Sequence, residues 1–314
     1  MESYDRAGHR LLSRQFGVIS AQQASALGVG KNGVHYRTRP GGPWQRLLPG
    51  VYLTVSGQPT RDQLEVAAAL FGGPRSVITG AAALRAAFVD CPETRRIDML
   101  IPDHLRRASM GFVAFRRTRR MPKMIAATDV RRYALVPRAV ADAVDGLTRL
   151  SDARTLVAGA VQQRRCTVDE LLAELADRNG RECALLRRVL AEVAEGMRSA
   201  PECELGDLIR PSGLPRPIYN ARLYVDGAFL AEPDAWWQHA SVAAEVDSMR
   251  WHLLPDHWEQ TMARHRRMSA AGIIVLHFSP HQLRTQPGEV LADIARALAK
   301  GRPAVGITTK TVAV

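Results

Sequence analysis

The dipeptide Asp226-Gly227 restricts the fold strongly, because it separates two runs of strand-forming residues. An Asp-Gly pair supplies both positive-φ positions of a tight two-residue turn, so it predicts an antiparallel hairpin. The strands expected in this part of the chain are 218–225, 228–237, 241–247 and 273–278. The helices expected around them begin at Ser199 and cover about 256–271 and 287–299. These elements predict the order αβββαβα.

Period-two alternation brings acidic side chains together on this predicted sheet. Glu245 and Asp247 share one face of the third strand, Asp234 lies near the end of its neighbour, and Glu202 lies on the preceding helix. Carboxylates gathered on one face repel each other until a proton, an arginine or a cation relieves the repulsion. A hard divalent cation bound by oxygen ligands is the catalytic solution. The alternative is neutralisation by arginines in an inactive domain, namely Arg250, Arg264 and Arg267.

Residues 199–300 resemble the PD-(D/E)xK nuclease superfamily, and within it the branch related to very-short-patch repair endonucleases. The matching positions are Glu202, Pro233-Asp234, Glu245-Val246-Asp247, Trp251-His252 and the helix bearing Arg264. The resemblance implies that Asp234 and Glu245 bind Mg²⁺ and that Glu202 completes or positions the catalytic site. Asp247 departs from the family pattern, which has lysine two residues after the glutamate. His252 is therefore the candidate general base, because imidazole relays protons near neutral pH.

The first sixty residues carry the pattern of a helix-turn-helix. Ser20 is a favourable N-cap for the run 21–27, and Gly28-Val29-Gly30 allows a tight turn before a second helix at 31–37. The stretch 44–52 is typical of a strand pair and is expected to form a wing. The candidate DNA-binding residues are Lys31, Asn32, His35, Tyr36, Arg37, Arg39 and Arg46. The alternative is a structural helical hairpin with a solvated basic face.

Residues 16–54, with FGVISAQQASALGV and WQRLLPGVYL, resemble the winged-helix domain of the AbiEi-type antitoxin family. The resemblance implies binding to double-stranded DNA and repression of an operon, which is transcription regulation within a toxin-antitoxin system. It also makes a cognate toxin and a second copy of the chain candidate partners.

The charge distribution favours a polyanionic partner for the first two-thirds of the chain. The net charge is +12, and residues 1–60 hold seven basic and two acidic residues, whereas residues 196–314 hold thirteen and twelve. A second basic stretch lies within residues 106–132. We interpret it either as a surface that follows a phosphate backbone or as a solvated loop. Its arginines are Arg106, Arg107, Arg116, Arg117, Arg119 and Arg120.

Several protein classes are disfavoured by what the sequence lacks. It has no apolar run of the length that a membrane helix needs and no apolar N-terminal leader, so we expect no membrane partner and a cytoplasmic location. Its four cysteines form no CxxC pair, which argues against a zinc site and a disulfide framework. It has no Walker loop, GxSxG elbow or HExxH helix.

We therefore predict an α+β multi-domain protein. Residues 1–60 would form a winged helix-turn-helix, 61–195 a mostly helical middle region of mixed α/β character, and 196–314 a restriction-endonuclease-like domain. The predicted function is a metal-dependent DNA endonuclease targeted by the winged helix. The alternative is a transcriptional regulator or antitoxin-like repressor whose nuclease-like domain is catalytically inactive.

Overall fold

The structure, a computed structural model, describes residues 6–92, 94–126, 130–178, 183–246 and 255–310. The chain has a mixed α/β architecture, in which several helices pack on small sheets. It divides into an N-terminal unit, residues 1–148 and 159–186, and a C-terminal unit, residues 149–158 and 187–314. None of the described helices is both long enough and apolar enough to cross a membrane.

The N-terminal unit begins with a small three-stranded sheet and three short helices. The first helices are α1 (Arg6–Arg14), α2 (Ala21–Ala26) and α3 (Lys31–Arg37). The first strands are β1 (Val18–Ser20), β2 (Gln45–Leu48) and β3 (Val51–Leu53), in the antiparallel order β1-β3-β2. The predicted N-cap is confirmed, because Ser20 and Gln23 form a reciprocal capping box at the start of α2. Buried Ala24 and Val34 anchor α2 and α3 to one core that includes Trp44.

A five-stranded sheet follows, in the order β6-β5-β4-β8-β7. Its strands are β4 (Val77–Thr79), β5 (Ile97–Pro102), β6 (Val113–Thr118), β7 (Met124–Ala126) and β8 (Arg132–Ala134). The helices of the segment 61–195 are α4 (Arg61–Gly72), α5 (Gly80–Ala86), α6 (Val136–Val144), α7 (Leu150–Gln162), α8 (Val168–Ala176) and α9 (Ala184–Ala194), of which α7 and α9 lie mostly in the C-terminal unit. Strands β5 and β6 are parallel, whereas β4 and β5 are antiparallel. The segment 61–195 thus contains a substantial sheet as well as the expected helices.

The C-terminal unit contains two sheets. Its elements are α10 (Ala200–Ile209), β9 (Ile218–Tyr219), β10 (Arg222–Val225), β11 (Ala228–Ala231), β12 (Ala235–Trp237), β13 (Val242–Val246), α11 (Pro255–Ala270), β14 (Ile274–Phe278), α12 (Pro280–Thr285), α13 (Pro287–Lys300) and β15 (Ile307–Lys310). The four-stranded sheet has the order β14-β13-β12-β9, and the other has the order β11-β10-β15. Strands β13 and β14 are parallel, while β12 pairs antiparallel with both neighbours.

The predicted hairpin is present, but its two long strands are each divided between the sheets. Asp226 and Gly227 adopt positive φ and join β10 to β11. The first predicted strand is interrupted at Asn220, whose φ of 49° lies in the left-handed region that asparagine tolerates better than most residues. Strands β9 and β12 therefore belong to the four-stranded sheet, while β10 and β11 belong to the three-stranded one.

Alternation along β13 is what fixes the faces of the four-stranded sheet. Ala244 packs with Trp237 in one core, and Ala243 packs with Trp236 and Met268 in another. Glu245 therefore shares the side of Ala243, and α11, which bears Met268, covers that side.

Candidate functional site

The surface of α3 exposes most of the side chains that the sequence analysis selected for DNA binding. Lys31, Asn32, His35 and Tyr36 are exposed, whereas Val34 is buried in the core. Because residues three and four apart share a helix face, this arrangement leaves a polar stripe on the outside of α3, with the Lys31 cation at its start. The short helix is thus anchored by one apolar residue and presents the others to a partner.

The three candidate arginines near α3 all lie against aromatic rings. The Arg37 guanidinium is 5.5 Å from the Trp44 ring, and its Nη1 donates to the Gly33 carbonyl at 3.1 Å. The guanidinium of Arg39 lies 3.9 Å from the Tyr36 ring, and that of Arg46 lies 5.9 Å from the Tyr52 ring. Arg39 and Arg46 are exposed, but Arg37 is only partly so. Replacing Arg37 would therefore disturb packing as well as charge.

The basic stretch at 106–132 is not one continuous cationic surface. Arg116 makes ion pairs with Asp142 and Asp145, and Arg120 makes ion pairs with Glu174 and Asp177. Folding thus commits these two arginines to carboxylates within the N-terminal unit. The interpretation of the whole stretch as a phosphate-tracking surface does not fit these ion pairs. The sequence alone could not show them, because the acids lie far away along the chain.

In the C-terminal unit, Asp234 and Glu245 face each other across adjacent strands. Ala235 is paired with Ala244 in the antiparallel register, and continuing that register by one residue places Asp234 opposite Glu245. Directly opposed residues have β-carbons about 4.5–5.5 Å apart. The Val246 N–H donates to Asp234 Oδ2 at 2.7 Å, which fixes the aspartate beside β13.

The Asp234 carboxyl group is in a position that disfavours its ionisation. The residue keeps some exposed surface, but its carboxyl is enclosed by protein atoms. Burial raises the pKa of Asp234 well above its ordinary value, and the charges of Glu202 and Glu245 raise it further. The Val246 N–H and the Arg264 guanidinium oppose this rise without cancelling it. Without a cation, the site therefore favours the neutral, protonated form of Asp234.

Glu245 and Glu202 have different partners around this position. Glu245 is buried, and its Oε2 forms an ion pair with Nη2 of Arg264 on α11. Glu202 Oε2 accepts hydrogen bonds from the Arg198 N–H at 2.8 Å and from Asn220 Nδ2 at 2.6 Å. Ser199 caps α10 by accepting the Glu202 N–H. Glu202 is thus held where its charge acts on Asp234.

Two predicted catalytic residues, Asp247 and His252, lie outside the described residues, as does Arg250. Two histidines that the sequence analysis did not select lie near the acids. The parallel register pairs Glu245 with His277 on β14, and the His277 ring centroid is 4.9 Å from that of His265 on α11. The register between β13 and β14 brings His277 there, and no local sequence signal encodes it.

The donor set suits a hard divalent cation. Mg²⁺ is commonly bound by one or two carboxylates, with water and substrate phosphate completing its shell, and Asp234 and Glu245 supply that number. The raised pKa of Asp234 reflects its burial beside two other acids, and a bound cation would favour the ionised form. Within the described residues, no three histidine, cysteine or acidic side chains are arranged to enclose a metal ion by themselves.

No family model matches this chain. It is similar to two proteins of Mycobacterium tuberculosis that are described as uncharacterized, Rv2248 of strain H37Rv and MT2308 of strain CDC 1551. Each is 27% identical over 234 residues, which cover 74% of this chain and 84% of the relative. The similarity therefore extends over most of both chains but assigns no activity.

Proposed function

We propose that this protein binds double-stranded DNA through its N-terminal helices and wing and cleaves it at a metal-dependent site built on Asp234 and Glu245. The observation that carries the proposal is the facing pair of enclosed carboxylates, one of which has a strongly raised pKa. Perturbed acids of this kind concentrate at functional sites.

The arrangement of the C-terminal elements supports the nuclease interpretation. Helix α10 is followed by the antiparallel strands β9, β12 and β13, and α11 then leads to the parallel strand β14. This is the αβββαβ order that the resemblance to PD-(D/E)xK nucleases implies, with β10 and β11 inserted as a hairpin. Asp234 precedes β12 and Glu245 lies on β13, the positions that the family motif uses.

The N-terminal elements support the DNA-binding part. Their order α1-β1-α2-α3-β2-β3 is that of a winged helix, and α3 occupies the place of the recognition helix. Its exposed Lys31, Asn32, His35 and Tyr36 have side chains that donate to phosphates or base edges.

Each acid has a defined part in the proposed reaction. Asp234 and Glu245 would hold the cation, with Asp234 oriented by the Val246 N–H. A bound Mg²⁺ would supply charge neutralisation at the scissile phosphate. Glu202 is a positioning residue, since it is tied to Asn220 and acts on Asp234 through its charge. Arg264 must share Glu245 with the cation.

The ion pair between Arg264 and Glu245 favours a second candidate function. If the guanidinium fills the cation position, the domain is an inactive scaffold. The protein would then be a regulator or antitoxin-like repressor that binds DNA without cutting it, with a second copy of the chain or a toxin as its partner.

A cleavage assay on supercoiled and linear duplex DNA separates the two functions. We expect the full chain to cut with Mg²⁺ or Mn²⁺ and to be inactive in EDTA. Asp234→Asn and Glu245→Gln should abolish cutting while leaving DNA affinity unchanged. Glu204→Gln is the matched control, because Glu204 lies on α10 and pairs with exposed Arg284.

Mg²⁺ binding by Arg264→Gln and cleavage by the wild type together separate the two functions. Under the nuclease proposal the variant still binds DNA and Mg²⁺. DNA binding without cleavage by the wild type, with either metal, would favour the repressor. A cutting Asp234→Asn variant would refute the site assignment.

A further inference from the structure

A cleft lies beside the wing, at one edge of the five-stranded sheet. Strands β5 and β6 are parallel, with Ile97 opposite Val113, so the segments that precede them lie side by side at the same edge. One of these segments carries Arg95 and Arg96, and the other is 109–112. Together with the start of β6 they line a cleft of about 420 Å³.

The walls of this cleft are held by backbone hydrogen bonds. The Ile97 N–H donates to the Phe112 carbonyl at 2.7 Å, and Met110 and Val113 exchange two hydrogen bonds around Gly111, whose φ is +56°. From the first turn of α4, Arg61 donates to the Thr94 carbonyl at 2.6 Å. The backbone that carries the two arginines is therefore fixed before any partner arrives.

The cationic side chains of the cleft point to solvent. Arg95 is exposed, and the Arg96 side chain is 64% exposed although it pairs with Asp98 at 2.6 Å. The other residues that line the cleft are uncharged. An exposed ion pair of this kind is weak, so Arg96 can exchange Asp98 for a phosphate.

The cleft adjoins the wing. A β-carbon on Gly111 would lie 3.7 Å from Leu48 Cδ2, and Leu48 lies on β2, the wing strand that also carries exposed Arg46. Arg46 on the wing and the cleft arginines Arg95 and Arg96 thus lie on either side of Leu48, all within the N-terminal unit. A duplex that touches the wing would pass this edge.

Other arginines of the sheet lie at its opposite edge. Arg75 precedes β4, which is antiparallel to β5, and Arg119 follows β6. Consistent with this, Arg75 Nη1 lies 3.2 Å from the Nε2 atom of His104, which follows β5. The sheet topology thus separates two groups of exposed arginines, and one group is next to the wing.

We infer that Arg95 and Arg96 bind phosphates of the duplex beyond the wing and so lengthen the DNA footprint. The inference rests on the proposed function, because it requires that the wing contacts DNA. The ligand is the phosphodiester backbone, which guanidinium groups bind through charge-assisted hydrogen bonds. The cleft therefore adds affinity that is independent of base sequence.

The test measures how salt affects DNA binding by the full chain, using a duplex long enough to pass the wing. Each lost phosphate contact should reduce the slope of log K against log salt by about 0.9. We expect Arg95→Gln with Arg96→Gln to lose about two contacts. Arg95→Lys with Arg96→Lys should keep the slope. Arg75→Gln with Arg119→Gln removes the same charge at the opposite edge and should leave the slope unchanged.

A duplex that covers only α3 and the wing gives the second arm. On it, the Arg95→Gln/Arg96→Gln variant should bind like the wild type. If the double variant matches the opposite-edge control on the long duplex, the inference is overturned while the proposed function stands. If the wild type binds no duplex at all, the proposed function fails, and the inference fails with it. Circular dichroism melts verify that all variants fold.

Discussion

Asp142 and Asp145 in the N-terminal unit and Asp234 and Glu245 in the C-terminal unit are both pairs of enclosed carboxylates, yet their surroundings differ. The side chains of Asp142 and Asp145 are 1% and 3% exposed, and Arg116 and Arg178 contact both of them. Asp142 also accepts hydrogen bonds from Thr79 Oγ1 at 2.6 Å and from Arg138 Nε at 2.9 Å.

The C-terminal pair has fewer cationic partners among the residues that the structure describes. Within the described residues, Arg264 is the arginine that pairs with Glu245, while Asp234 receives a backbone N–H. Burial raises the pKa of Asp145 as well, and the neighbouring Arg178 and Arg116 reduce that rise without cancelling it. For Asp234, two further acids add to the effect of burial. The comparison distinguishes acids that are neutralised by several arginines from acids for which we propose a bound cation.

The largest expected effect is on the N-terminal pair. Asp142→Asn would leave the guanidinium groups of Arg138, Arg116 and Arg178 undercompensated. Removing one partner of a buried ion pair costs about 3–5 kcal/mol. We expect faster hydrogen exchange of the β4 and α6 amides, because the free energy of opening falls by that amount. Asp177→Asn, which removes an exposed carboxylate that pairs with Arg120, should cost at most about 1 kcal/mol. Equal effects of the two substitutions would contradict the comparison.

At the C-terminal pair, replacing the aspartate by asparagine should not lower the stability. The pKa of Asp234 is raised by folding, so the native state keeps a proton that the unfolded state releases near pH 4. The free energy of opening of β12 and β13 in EDTA should therefore fall as the pH rises from about 4 to the raised pKa of Asp234. Asp234→Asn should remove that fall and be as stable as the wild type or more so.

The addition of Mg²⁺ tests whether Asp234 binds the cation. At about a hundredfold excess over its Kd, the cation should stabilise the wild type by about 2.7 kcal/mol, and it should not stabilise Asp234→Asn. Hydrogen exchange of the β13 amides with and without Mg²⁺ measures both quantities. Equal Mg²⁺ protection of the variant would show that Asp234 is not a ligand.

The smallest expected effect separates two DNA-binding candidates. Lys31 is exposed on α3, so Lys31→Ala should reduce the salt slope of duplex binding by about 0.9. Arg37 bonds to Gly33 and lies against Trp44, so Arg37→Ala should lower the thermal stability of the N-terminal unit instead. Fluorescence anisotropy across a salt series compares the two salt slopes, and circular dichroism melts compare the two thermal stabilities. If Arg37→Ala changed the salt slope more than Lys31→Ala does, Arg37 and not Lys31 would be the phosphate contact.

The sequence by itself determined the local elements, because their signals lie within a few residues. Ser20 and Ser199 cap helices as their positions predict, and Asp226-Gly227 forms the hairpin turn. Alternation correctly placed Glu245 on the face opposite Ala244. For the caps and the turn, the deciding hydrogen bond or φ angle belongs to the signal residue or to one at most three positions away.

Only the tertiary structure decided which distant residues meet. The β12–β13 register places Asp234 opposite Glu245, and the β13–β14 register brings His277 beside it. The left-handed Asn220 divides a strand that alternation alone predicts as continuous. Arg116 and Asp142 are 26 positions apart in the sequence. Their ion pair stabilises the fold, although Arg116 belongs to a basic stretch. Partners this far apart are chosen by sheet register and packing, for which a single sequence contains no local signal.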